Sequence, residues 1–247
     1  MRKTGLLVYR TLYGAIGAMI AMNAITSIVH AEETPLEADY KAGSLAYQGD
    51  DWFSAIPPLR RAATAGHLPS MEMLAMILNR AAETTESMEW YHKAAEAGSL
   101  EGAYWLGVLL QVEIDAARAA PKTAKPEAAP KSSIPHGPEE ALKWLSLAAE
   151  KNHPAAMFAM SNVHTMGKLG QPVDYKIALD WLQRSADAGY TPAMKELSKV
   201  HAQGLLGLSP NAKEALRWDK AVKEIEQAAI NAAKQQAKSN PGTDKKK

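Results

Sequence analysis

Trp144-Leu-Ser-Leu-Ala-Ala-Glu-Lys-Asn152 and Trp181-Leu-Gln-Arg-Ser-Ala-Asp-Ala-Gly189 align without a gap, and Trp90-Tyr-His-Lys-Ala-Ala-Glu-Ala-Gly98 joins them. Pro58-Leu-Arg-Arg-Ala-Ala-Thr-Ala-Gly66 is a copy lacking the Trp, and Ala215-Leu-Arg-Trp218 opens another. Trp144, Trp181 and Trp218 stand 37 residues apart, whereas Trp90 and Trp144 are 54 apart, so an insertion lies between those two. The Gly or Asn that ends each stretch suits the residue after a helix, where φ turns positive. A fixed period of this size is the mark of a repeat array.

A second helix follows each Gly or Asn. It starts at Ser70, Gly102, Ala156 and Ala193, and the pattern recurs four, five and eight residues later. The recurrences are Leu74, Ala75, Leu78; Leu106, Gly107, Leu110; Met160, Ser161, His164; and Leu197, Ser198, His201. That spacing is one stripe of an α-helix. Its small residue lets a neighbouring helix approach closely. Ala38, Ala42, Gly43 and Ala46 repeat the stripe near the start of the chain. The unit is therefore helix A, loop, helix B, and stacked units bury together what neither helix can bury alone.

These motifs resemble the Sel1-like repeat family, a relative of the tetratricopeptide repeat, over residues 36–224. The resemblance implies an all-α solenoid of about five helix-turn-helix repeats wound as a right-handed superhelix. Some positions depart from the family pattern. His164 and His201 stand where it usually has Tyr, Pro58 stands where it has Trp, and the glycine loop survives only partly as Gly167, Gly170, Gly204 and Gly207. Residues 115–138, rich in Ala, Pro and Lys, are expected to form a disordered insertion within repeat three, because they offer little to bury. Residues 211–238 contain no helix breaker and are expected to form a capping helix with Asn211 as N-cap; residues 239–247 read as a disordered basic tail.

The first 31 residues form a separate segment. Arg2, Lys3 and Arg10 precede an apolar run from Leu12 to Val29, and Val29-His30-Ala31 comes before Glu32-Glu33. This is the layout of a secretory signal peptide cleaved after Ala31, which gives a periplasmic address. The alternative is an inner-membrane anchor over residues 12–29, the only membrane attachment that the sequence suggests. The chain has 28 Lys and Arg, 27 Asp and Glu and no Cys. Near-neutral charge argues against a nucleic-acid partner. The lack of Cys excludes disulfides, thiolate metal sites and a cysteine nucleophile. With 47% hydrophobic residues the chain can bury a core.

No catalytic motif emerges. The nucleophile elbow, the Ser-x-x-Lys pair and the phosphate loop are absent. Glu83, Glu86, Glu89, Glu139, Glu140 and Asp174 fall near the starts of B helices, where negative charge suits the helix dipole. His67 and His153, just past the helix ends, read as solvated. His164 and His201 occupy equivalent stripe positions without ligand partners at metal spacing. The expectation is no enzyme activity, no metal and no cofactor. The four Trp of the B helices read as packing.

A surface is the better candidate. The residues two, six and nine positions past each helix A start form the neighbouring stripe. They include Tyr40 and Tyr47; Glu72, Met76 and Asn79; Tyr104, Val108 and Gln111; Phe158, Asn162 and Thr165; and Lys195 and Lys199. The resemblance implies that this stripe lines a concave groove, and aromatics beside amides suit a protein segment. The expected function is a non-catalytic envelope adaptor that binds a protein partner. The alternatives are a binder of peptidoglycan or exopolysaccharide stacking on Tyr40, Tyr47, Tyr104 and Phe158, and, with no paired carboxylates to support it, an envelope hydrolase. By the same resemblance, exported family members act in envelope signalling, motility and exopolysaccharide assembly.

Overall fold

The computed structural model describes residues 34–119, 134, 135 and 137–239; the leader, most of the insertion and residues 240–247 of the basic tail lie outside this range. The described residues form ten helices and no strand. They divide into two compact units between Ala65 and Gly66.

The N-terminal unit is one hairpin, α1 (Pro35–Gln48) and α2 (Trp52–Thr64). Thr34 caps α1 by accepting the Glu37 amide at 3.2 Å, and Asp51 caps α2 by accepting that of Ser54 at 3.0 Å. Gly43 is buried against Leu59 and the Ala55 carbonyl, so the stripe position is small because a helix crosses there.

The second unit stacks α3 (Leu68–Arg80), α4 (Thr84–Glu96), α5 (Leu100–Ala119), α6 (Pro138–Glu150), α7 (Pro154–Met166), α8 (Tyr175–Asp187), α9 (Thr191–Gln203) and α10 (Ala212–Ser239). Each helix packs on its neighbours in chain order, as an α-solenoid requires. The expected stripe is its core. Ser70, Leu74, Ala75, Leu78, Leu106, Leu110, Ala156, Met160, Ser161, His164, Ala193, Leu197 and Ser198 are all buried, and only His201 is partly exposed. Trp90, Trp144 and Trp218 are buried and Trp181 is half-buried, so the indoles act as packing.

The end of helix B fixes the start of the next helix A. Gly66, Gly98, Asn152 and Gly189 have φ of 92°, 95°, 63° and 85°. Beyond the last three, the amides of Ser99, His153 and Tyr190 reach back to the carbonyls of Ala94, Ala148 and Ser185 at 2.9, 3.0 and 3.2 Å. This is a Schellman closure. Its last residue is at once the residue before the next helix A, often with Pro next or second in that helix.

The insertion differs from the sequence reading at both edges. Residues 115–119 continue α5, and the Asp115 carboxylate accepts from Lys168 Nζ at 2.7 Å. Alanine is the strongest helix former, so Ala116, Ala117 and Ala119 extend the helix that a disorder reading would end. Ile134 is buried, and Pro138 begins α6. Asn211 Oδ1 accepts the Glu214 amide at 3.2 Å and so caps α10.

Candidate functional site

The stripe beside the core remains open. In the second unit Glu72, Met76, Asn79, Tyr104, Val108, Gln111, Phe158, Asn162 and Thr165 are half-buried, and Lys195 and Lys199 are exposed. Tyr40 and Tyr47 are half-buried in the N-terminal unit, where Tyr47 lies 6.4 Å from the Trp52 ring.

In three rows of the second unit the first member is tied to the next repeat. Ser99 Oγ donates to Glu72 Oε1 at 2.5 Å. His153 stacks on Tyr104 with centroids 5.1 Å apart and planes at 28°. Tyr190 lies 5.7 Å from Phe158. Each partner is the Schellman residue before the following helix A, so a single turn sets both the chain path and the inter-repeat contact. Lys195 instead pairs with Glu226 of α10 at 2.9 Å. The members at +6 and +9 are less committed, although Lys199 reaches Glu196 at 3.2 Å and Thr165 Oγ1 donates to the Ser161 carbonyl at 2.8 Å.

Among the described residues, two recesses stand out on the second unit. One, of about 360 Å³, gathers Asn162, Thr165 and Lys199 from the predicted row with Met166, Tyr175 and Leu206. Met166 and Tyr175 are exposed at its rim, and the buried Ser161, Leu182 and Val200 also line it.

The other, of about 390 Å³, is lined by Glu101, Tyr104, Trp105, His153, Pro154, Ala155 and Tyr190. Trp105 Nε1 donates to Glu101 Oε1 at 2.6 Å, and His153 Nε2 donates to Oε2 at 2.9 Å. His153 Nδ1 accepts the Ala156 amide at 3.2 Å, so this imidazole is the Nε2–H tautomer and caps α7. The hydrogen bond from His153 holds the Glu101 carboxyl below its ordinary value against opposing burial, and the Trp105 indole adds to it. Burial pushes the Tyr104 phenol up to about 12 and raises that of Tyr190, with the Glu101 charge acting in the same direction on both.

The sequence reading placed His153 and His67 in solvent, and the structure corrects both. His153 is bound on two sides, and His67 Nδ1 lies 2.8 Å from Ser70 Oγ. Glu101, Trp105 and Tyr190 were missed as well. The available signal was the residue after each helix-end Gly or Asn, which is Ser99, His153 and then Tyr190. Among the described residues no three His, Cys, Asp or Glu gather as metal ligands, and no helix is long and apolar enough to cross a membrane.

The Sel1 repeat family model matches residues 82–99, 132–153, 154–190 and 191–218. Over these four stretches the chain is a Sel1-repeat array. Among solved structures it is similar to a Sel1 repeat protein from Oxalobacter formigenes, at 21% identity and a TM-score of 0.62, over 76% of this chain and 70% of that one. It is also similar to c5321, a protective antigen of uropathogenic Escherichia coli with an SLR fold. That likeness, at 21% identity and a TM-score of 0.60, covers 85% of this chain but 42% of the antigen. At such identities the likeness establishes the fold. No curated protein matches the sequence. Sel1 repeats are generally protein-binding scaffolds, typically without catalysis, and the recess at Asn162 and Lys199 lies within the matched repeats.

Proposed function

We propose that this Sel1-repeat protein is a non-catalytic adaptor of the bacterial envelope that holds a segment of a partner protein along the A helices of its second unit. One contrast carries the reading. In the second unit the stripe at +0, +4, +5 and +8 is buried apart from His201, while the adjoining stripe with Tyr104, Val108, Gln111, Phe158, Asn162 and Thr165 stays open and leads into the recess at Lys199. A wall of half-buried aromatic, aliphatic and amide groups beside a rigid core suits a peptide, because little side-chain entropy is lost on binding. The export layout of residues 1–31 supports the envelope address.

The test is capture with a photo-crosslinker placed at Gln111, in cells that make the full chain. Asn162→Arg and Lys199→Glu should abolish a specific protein crosslink, while Lys220→Glu on exposed α10 leaves it intact. Fractionation and amino-terminal sequencing should find the chain in the periplasm beginning at Glu32. Retention on peptidoglycan that those groove changes remove, or turnover of a glycan or peptide, would replace the adaptor reading.

A further inference from the structure

We infer that the recess formed by Glu101, Tyr104, Trp105, His153 and Tyr190 is a socket for a basic side chain, lysine or arginine, of the bound protein segment. The inference rests on the adaptor reading and adds the chemistry of the partner.

Charge is the first ground. Because His153 Nδ1 accepts the Ala156 amide, the ring is neutral and does not cancel the carboxylate it binds. Each Glu101 oxygen accepts one hydrogen bond and keeps a second lone pair. The Glu101 side chain is 52% exposed, so an incoming cation can reach it. The recess therefore carries one negative charge fixed by two neutral donors.

The walls are the second ground. Tyr104 and Trp105 lie 5.1 Å apart with planes at 58°, and Tyr190 completes the lining. Aromatic faces attract ammonium and guanidinium groups. The chain does this repeatedly with its own residues: Lys93 covers Trp90, Lys143 covers Trp144, Arg184 covers Trp181 and Arg217 covers Trp218. Among the described residues no Lys or Arg lies over Trp105, Tyr104 or Tyr190. Pro154 and Ala155 offer apolar surface to an aliphatic stem. A neutral sugar would leave the carboxylate without a counter-charge, and an anionic ligand would be repelled.

The experiment follows the Trp105 indole and His153 ring resonances of the full chain in NMR. Its probes are N-acetyl-lysinamide, N-acetyl-argininamide, the Nε-acetylated lysine derivative and N-acetylglucosamine. The two charged probes should shift these resonances saturably and the two neutral ones at least tenfold more weakly. Glu101→Gln, shown to remain folded at the working temperature, should weaken the charged probes at least tenfold. If that variant does not fold, the charged and acetylated lysines compared on the wild-type chain still decide. Equal response to charged and neutral probes, or a response to the sugar alone, overturns the socket. A partner crosslink that survives Glu101→Gln while the lysine probe is lost sinks the assignment to the partner's basic residue and leaves the adaptor standing.

Discussion

The His153 imidazole rests on the Tyr104 ring, 5.1 Å away, although the insertion of repeat three lies between them in sequence. The same imidazole caps α7 and binds Glu101, so one side chain closes a helix, joins two repeats and orients a carboxylate.

His153→Ala should therefore lose the cap, worth about 1 kcal/mol, and the stack, worth about 0.5–1.5 kcal/mol. His153→Asn keeps a capping oxygen and gives up only the stack and the Glu101 bond, so it should cost less. Urea unfolding midpoints at constant slope measure both. Equal midpoints for His153→Asn and His153→Ala would deny His153 its capping role.

Glu101 gives a pH dependence. Its folded carboxyl titrates below the ordinary value of 4.5, chiefly because His153 donates to it. On acidification the unfolded chain takes up this proton first, so the contribution is complete above 4.5 and is lost as pH falls through the lower folded value. Glu101→Gln lacks this titration. The stability gap between wild type and variant should shrink from neutral pH into that acid range, read by denaturant titration at each pH. A constant gap means that Glu101 is not held ionised by its partners.

Ser87 tests a different point. It occupies the position that is Ala55, Ala141, Ala178 and Ala215 in the other repeats, and its buried hydroxyl donates to the Ala75 carbonyl at 2.8 Å. That carbonyl lies inside α3 and keeps its helical partner when the hydroxyl is removed. Ser87→Ala should change stability by no more than about 1 kcal/mol, since no buried group loses its last bond. Ala178→Leu, at a fully buried site in α8, should instead cost roughly 1–3 kcal/mol by overpacking.

The core was legible because a helix writes burial into its own spacing: Leu106, Gly107 and Leu110 share a face whatever surrounds them. The recess was not, because Tyr104 meets His153 only after two repeats have stacked, and no spacing within a helix records that contact. His153 looked solvated since it follows a helix end, yet the Schellman turn carries it onto the preceding helix A. The insertion edge was misplaced for a compositional reason. Alanine next to Pro and Lys reads as a linker, whereas alanine next to Ile114 and Asp115 prolongs a helix that Lys168 then ties down.

Gly102 and Gly107 set two effects against each other. Both sit within α5, where replacing Gly by Ala would gain about 0.5–1 kcal/mol of helix propensity. A Cβ on Gly102 would lie 2.9 Å from Ala94 Cβ and 3.0 Å from the Tyr91 carbonyl, and one on Gly107 would lie 2.6 Å from Leu145 Cγ and 3.1 Å from the Ala141 carbonyl. Those neighbours belong to α4 and α6, so relief at the carbonyls requires moving a whole helix. Close-packed interiors resist this, and overpacking costs about 1–3 kcal/mol, more than the propensity returns. Gly102→Ala and Gly107→Ala should both destabilise, and the double variant should lose more than either, since α5 is then pushed from both neighbours. Gly137→Ala, with no atom within 4 Å of the new Cβ, is the control and should leave the melt nearly unchanged. A rise in melting temperature for Gly102→Ala would show that α4 and α5 are not in the close contact that seats Trp105 and Glu101 at the recess.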